Sequence, residues 1–117
     1  VATTLGNLGI VYGDLDDPAK QQDMQERALA IFERAYGRDH TKVATTLGNL
    51  GIVYGDLDDP AKQQDMQERA LAIFERAYGR DHPSVASVLN SLGNAYGSLG
   101  DHAKGRDMLE RALAIKE

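Results

Sequence analysis

The stretch VATTLGNLGIVYGDLDDPAKQQDMQERALAIFERAYGRDH fills Val1–His40 and recurs without a change as Val43–His82. A shorter and altered copy runs from Val85 to Glu117, so the period is 42 residues throughout. Self-similarity at a fixed period of about 20–50 residues is the signature of a solenoid or array, in which each unit stacks on its neighbour. The expected organisation is a single array over residues 1–117, with modules 1–42, 43–84 and 85–117. Repeat units do not bury their apolar faces alone, and roughly three are needed for stability. The chain opens at Val1, without Met and part-way into a module, as expected of an excised or engineered segment.

Each module divides into two helical halves. In the first, Val1, Leu5, Leu8, Tyr12 and Leu15 are spaced by 4, 3, 4 and 3, which is one face of an α-helix. A separate stripe holds Thr3, Asn7, Ile10 and Asp14. Asp17 then reads as an N-cap, with Pro18 at the first helical position. In the second half, Met24, Ala28, Ile31 and Ala35 make one apolar row, and Leu29, Phe32 and Tyr36 a second beside it. So wide a sector implies contact with two neighbours, one within the module and one in the next. Asp23 and Arg27 form an i,i+4 pair, and Gly37 supplies the stop. The fold class is therefore all-α: antiparallel helix–turn–helix hairpins, six helices in three modules.

Gly6, Gly9 and Gly13 share a stripe adjacent to the apolar face of the first helix. Each glycine costs ~0.8–1 kcal/mol relative to alanine in a helix interior. Their common face implies a seam where another helix approaches too closely for a Cβ. The bulk properties exclude several functions. A net charge of −5 argues against nucleic acid, where affinity comes mainly from Lys and Arg on phosphates. Zero cysteines remove disulfides and thiolate metal sites, and suit a cytoplasmic, reducing compartment. No apolar run approaches the ~20 residues of a membrane-spanning helix, and no membrane partner is expected.

Leu89-Asn-Ser-Leu92-Gly93-Asn-Ala-Tyr96, followed by Gly100-Asp101 and Ala112-Leu113, resembles the tetratricopeptide repeat pattern W-x-x-L-G-x-x-Y, G-D and a late Ala-Leu. Leu89 replaces the usual Trp. The ordinary period is 34, and the 42 residues here add about one turn to each helix. Gly79-Arg80-Asp81-His82-Pro83 is similar to the connector of the 42-residue subclass found in kinesin light chains. Arrays of this type also occur as sensor regions of some signalling NTPases. The resemblance implies a right-handed α-solenoid and a protein-interaction role. One departure concerns the second helix, where Gln21, Gln63 and Gly105 stand in place of a small Ala. The two glutamines are expected at a tolerant edge of the hairpin interface or reaching toward solvent.

The resemblance also implies a concave groove lined by the first helices. Its candidate protein-binding residues are Thr3, Asn7, Ile10 and Asp14, then Thr45, Asn49, Ile52 and Asp56. The third module contributes Ser87, Asn90, Ser91 and Asn94. Chaperone-binding relatives clamp a terminal carboxylate with Lys, Arg and Asn, and Asn7 and Asn49 match one Asn of such a clamp. No Lys or Arg occurs in Val1–Leu15, Val43–Leu57 or Val85–Leu99, so an anion finds no partner there. The groove is expected to be neutral to mildly acidic and to take a neutral or basic peptide.

Catalytic and metal chemistry find no support. An EF-hand loop started at Asp14 would need Gly at its sixth position and Glu at its twelfth, which are Ala19 and Gln25. His40 and His82 lie one module apart, at least ~8–10 Å, too far to share a metal. Gly6-Asn-Leu-Gly9 is neither a dinucleotide fingerprint nor a P-loop. No nucleophile–base arrangement emerges, and no cofactor is expected. The third copy turns more polar where Ile10 becomes Asn94 and Phe32 becomes Lys116, as expected of a capping module. Gln25 becomes Leu109, against that trend. The chain reads as a non-enzymatic protein-interaction scaffold, and the competing reading is a structural spacer or engineered array with no ligand of its own. Near-identical modules make one end of a molecule complementary to the other, so head-to-tail self-association is expected.

Overall fold

The computed structural model describes residues 17–116, and these form five helices and no strand. They are α1 (Pro18–Tyr36), α2 (Thr41–Asp56), α3 (Pro60–Tyr78), α4 (Pro83–Ser98) and α5 (His102–Lys116). The first of the six expected helices, over Val1–Leu15, lies outside the described residues, and Thr3, Asn7, Ile10 and Asp14 lie there with it. Helix α2 begins at Thr41 and α4 at Pro83, so the sequence repeat cuts inside the first helical turn.

Local chemistry sets the helix ends. Asp17, Asp59 and Asp101 each accept from the backbone N–H three residues on, at 3.3, 3.2 and 3.2 Å. Gly37 and Gly79 end α1 and α3 with φ of 87° and 88°, a left-handed conformation open to glycine at no steric cost. The connector histidines act as caps: His40 Nδ1 accepts from Lys42 N and His82 Nδ1 from Ser84 N, both at 3.1 Å. Each ring also stacks on the tyrosine that ends the preceding helix, Tyr36 at 4.6 Å and Tyr78 at 4.3 Å. Within the hairpins, α2 ends in a Schellman turn, with Asp58 N–H to Gly55 O and Asp59 N–H to Tyr54 O. Asp58 takes φ of 61° there, where the third module has Gly100 at 90°.

Each helix packs on its neighbours in sequence, and α2 also touches α4, the equivalent helix one module on. The core is one cluster through four helices, with Val43, Ala44 and Leu47 from α2, Ala70, Ile73 and Phe74 from α3, Val85, Val88 and Leu89 from α4, and Ala112 from α5. Full burial of a Leu or Val side chain contributes about 1.5–3 kcal/mol, so this cluster dominates the cohesion between modules.

Two polar links repeat at the module period. Tyr54 donates to Glu26, and Tyr96 to Glu68, each joining a first helix to the second helix of the preceding module. Burial, reinforced by the neighbouring carboxylate, pushes both phenols up to about 12. Arg69 pairs with Glu33 and Arg111 with Glu75, both at 3.5 Å, tying successive second helices together. These pairs are about a third exposed, and such bridges are worth only ~0–1 kcal/mol each. The anticipated Asp23–Arg27 pair gives way to a different contact: Arg27 Nη1 lies 3.9 Å from Met24 Sδ.

Candidate functional site

The placement expected for Gln63 is overturned, while Gln21 is half-buried. Gln63 is 8 % exposed and Gln67 only 1 %, and both amides reach across the module boundary to Ser91. Gln63 Nε2 donates to Ser91 O at 3.2 Å and to Ser91 Oγ at 3.1 Å. Gln67 Nε2 donates to the same Oγ at 2.9 Å and to Gly48 O at 3.0 Å. A serine hydroxyl has two lone pairs and can accept both donors. Burial of an amide without partners costs several kcal/mol, so these bonds decide where the glutamines go.

The glutamines also explain the glycine seam. A Cβ at Gly51 would overlap the Gln67 side chain, and one at Gly55 would stand 3.0 Å from Gln63 Nε2. The room left by these glycines is filled by side-chain amide, not by a neighbouring backbone. The third module solves the same problem differently. Gly105 replaces Gln63, and a Cβ on it would stand 2.8 Å from Gly93 O, so there the two backbones themselves approach. Leu109, in the position of Gln67, packs against Gly93 and needs no polar partner. Among the described residues no helix covers the outer face of α5, and none supplies the serine that Gln67 finds in α4.

Two adjoining clefts open between the second and third modules. A cleft of about 200 Å³ is lined by Thr45, Gly48, Asn49 and Ile52 from α2, Gln67 and Phe74 from α3, and Ser84, Ser87 and Val88 from α4. A wider one of about 510 Å³ is lined by Ile52, Asp56 and Gln63 together with Ser87, Asn90, Ser91, Asn94, Ser98 and Lys116. Ile52 and Ser87 belong to both. The structure thus places all eight described candidate residues along this pair of clefts. They are not equivalent. Ile52 is 53 % exposed, an aliphatic side chain held out to solvent, whereas Ser91 is buried at 9 % and occupied by the glutamines.

Three participants escape a reading of the sequence. Gln63 and Gln67 escape it because a polar residue on a second helix looks solvent-facing until its partner 24 or 28 positions away is known. Lys116 has the pattern of an outer capping face, yet it lines the wider cleft with Asp56. A lysine therefore does reach the groove, from the second helix, and the balance of charge there is closer to neutral than the first helices alone imply. The signal in the sequence is that Lys116 stands 42 residues after Phe74, which lines the neighbouring cleft. No group of three His, Cys, Asp or Glu able to hold a metal occurs among the described residues.

Stacked antiparallel hairpins with a residue-lined channel along the first helices define an α-solenoid of the repeat type. A tetratricopeptide repeat model matches residues 1–62 and 62–117, and the chain belongs to that family. The crystal structure of BtubC (BKLC) from P. vanneervenii is similar, with 31 % identity over 99 % of this chain and 46 % of that one, at a TM-score of 0.90. A putative kinesin light chain of Podosopora anserina with nearly identical TPR-like repeats shares the fold at 19 % identity. It matches 97 % of this chain and 54 % of its own, with a TM-score of 0.87. The chain thus spans about half the length of these solved proteins. No curated protein matches it. Tetratricopeptide repeats in general mediate protein–protein interaction and form a non-catalytic scaffold family.

Proposed function

We propose that this chain is a non-enzymatic interaction scaffold whose groove holds an extended, neutral or weakly basic peptide segment of a protein partner. The observation that carries this reading is Ile52. It stands 53 % exposed between two clefts whose other walls are hydroxyl and amide side chains. An aliphatic anchor rimmed by groups able to bond a peptide backbone is a recurring mode of peptide recognition. Asp56 and Lys116 both line the wider cleft, which favours a peptide of little net charge. Six helices in three modules and a cytoplasmic setting belong to the same proposal, the latter resting on a cysteine-free sequence.

A displayed library of random dodecamer peptides, selected on the 117-residue chain, tests the reading. Selected sequences should carry an aliphatic residue and lose affinity about tenfold on Ile52→Ala, the order expected for one buried side chain. Peptides insensitive to Ile52→Ala, or a selection that yields none, would leave the chain as a spacer.

A further inference from the structure

Gln67 carries a buried acceptor that none of the described residues satisfies. Its Nε2 must face Gly48 O, because a carbonyl oxygen accepts and cannot donate, and this fixes the orientation of the amide. The other end, Oε1, is buried and has no hydrogen-bond partner among the described residues. Gly48 stands beside it. A Cβ on Gly48 would meet only Gln67 Oε1, at 3.9 Å, an ordinary contact. Packing therefore requires glycine at 51 and leaves a methyl at 55 crowded, but neither holds at 48, where glycine carries a helix-propensity cost for no steric return. Both Gly48 and Gln67 line the cleft of about 200 Å³. The repeat supplies an internal control. Gly6 and Gln25 repeat the pair in the first module, whereas the third has Asn90 and Leu109, so glycine and glutamine are replaced together.

We propose that Gly48 is bare so that a main-chain N–H of the bound peptide can approach over the helix and donate to Gln67 Oε1. The proposal rests on the groove reading above and deepens it by naming one acceptor and one ligand group. Glycine is the residue that lets a ligand backbone come close to a helix, and an unpaired buried acceptor gains most from a donor. Ile52, Val88 and Phe74 line the same cleft and would take the aliphatic side chain flanking that amide. In this arrangement Gln67 does two jobs with one amide. The nitrogen holds α4 against α2, and the oxygen reads the ligand.

The test uses dodecamers selected on the wild-type chain, measured by fluorescence anisotropy against Gly48→Ala, Gly48→Asn and a control, Gly97→Ala. A methyl at Gly97 would have nothing within 4 Å, and this glycine lies outside both clefts, so its change leaves the groove untouched. Gly48→Ala and Gly48→Asn should weaken binding about tenfold, the scale of one hydrogen bond to a buried acceptor, while Gly48→Ala raises the thermal midpoint. Gly97→Ala should raise the midpoint and leave affinity unchanged. Backbone N-methylation at one peptide position should cost a similar factor on the wild type and nothing further on Gly48→Ala. Peptides that need Ile52 yet bind Gly48→Ala as tightly as wild type would overturn this inference, with water alone on Oε1, and leave the groove reading standing. A library that yields no Ile52-dependent peptide overturns both.

Discussion

Tyr96 shows how one hydroxyl can couple two modules. It is 6 % exposed, its O–H donates to Glu68, and Lys104 Nζ lies 5.1 Å from the ring centroid. Burial is the main reason its pKa rises to about 12, and the Glu68 carboxylate adds to it. The folded value lies above the ordinary ~10 of an unfolded tyrosine. Its contribution is therefore fully present below pH ~10 and is lost as pH rises through about 12. Urea unfolding should give flat tyrosine-linked stability near neutrality and a fall across that alkaline window. Tyr96→Phe should cost about 1 kcal/mol at neutral pH, the usual net worth of a hydrogen bond, and make the alkaline fall shallower. A variant with the full wild-type slope would show that the phenol is not held as described.

The helices bring out a contrast among glycines that residue-by-residue reading does not. Gly51 lies inside α2 and Gly97 in the last turn of α4; propensity gives alanine ~0.8–1 kcal/mol in a helix interior and less at a fraying end. At Gly97 nothing lies within 4 Å, so Gly97→Ala should stabilise by a few tenths up to about 1 kcal/mol. At Gly51 the methyl would overlap a Gln67 amide pinned by Gly48 O and Ser91 Oγ. Gly51→Ala should destabilise by about 1–3 kcal/mol, as overpacking does, despite the better propensity. Chemical denaturation of the two variants side by side checks both signs. The caps belong to this scale too, and they are legible in the sequence. Asp17, Pro18 and Gly37 sit where the sequence puts helix boundaries, because a cap bonds within three or four residues of itself.

Across the whole molecule, cohesion runs from neighbour to neighbour. The Tyr–Glu and Arg–Glu links join adjacent modules only, as in a one-dimensional stack. Helix α5 presents Leu109 at 38 % and Leu113 at 60 % exposure on a broad open depression that includes Gly97 and Glu110. Glu110 occupies the position from which Glu26 and Glu68 accept a tyrosine of the following module. A second copy could offer Tyr12 there, since its Val1–Leu15 repeats Val43–Leu57. Leu109 and Lys116 stand where Gln67 and Phe74 would complete the fit, so such a contact should be weak. Light scattering should show apparent mass rising slowly with concentration, and Leu113→Lys should abolish the rise. A strict monomer at high concentration would refute head-to-tail stacking.

The sequence by itself determined what is local or periodic: hairpins of two helices, their caps, the 42-residue step and the family it points to. Those features are encoded in spacings of three or four residues and in plain repetition, which a single chain displays in full. Only the tertiary structure separated Gly48 from Gly51 and Gly55, buried Gln63 and Gln67, and brought Lys116 to the groove. On a helical wheel the three glycines are alike. The difference arises from a glutamine on the next helix, whose rotamer is chosen by a serine on the helix after that. Such a choice depends on the simultaneous distances of three elements, and no periodicity along one of them contains it.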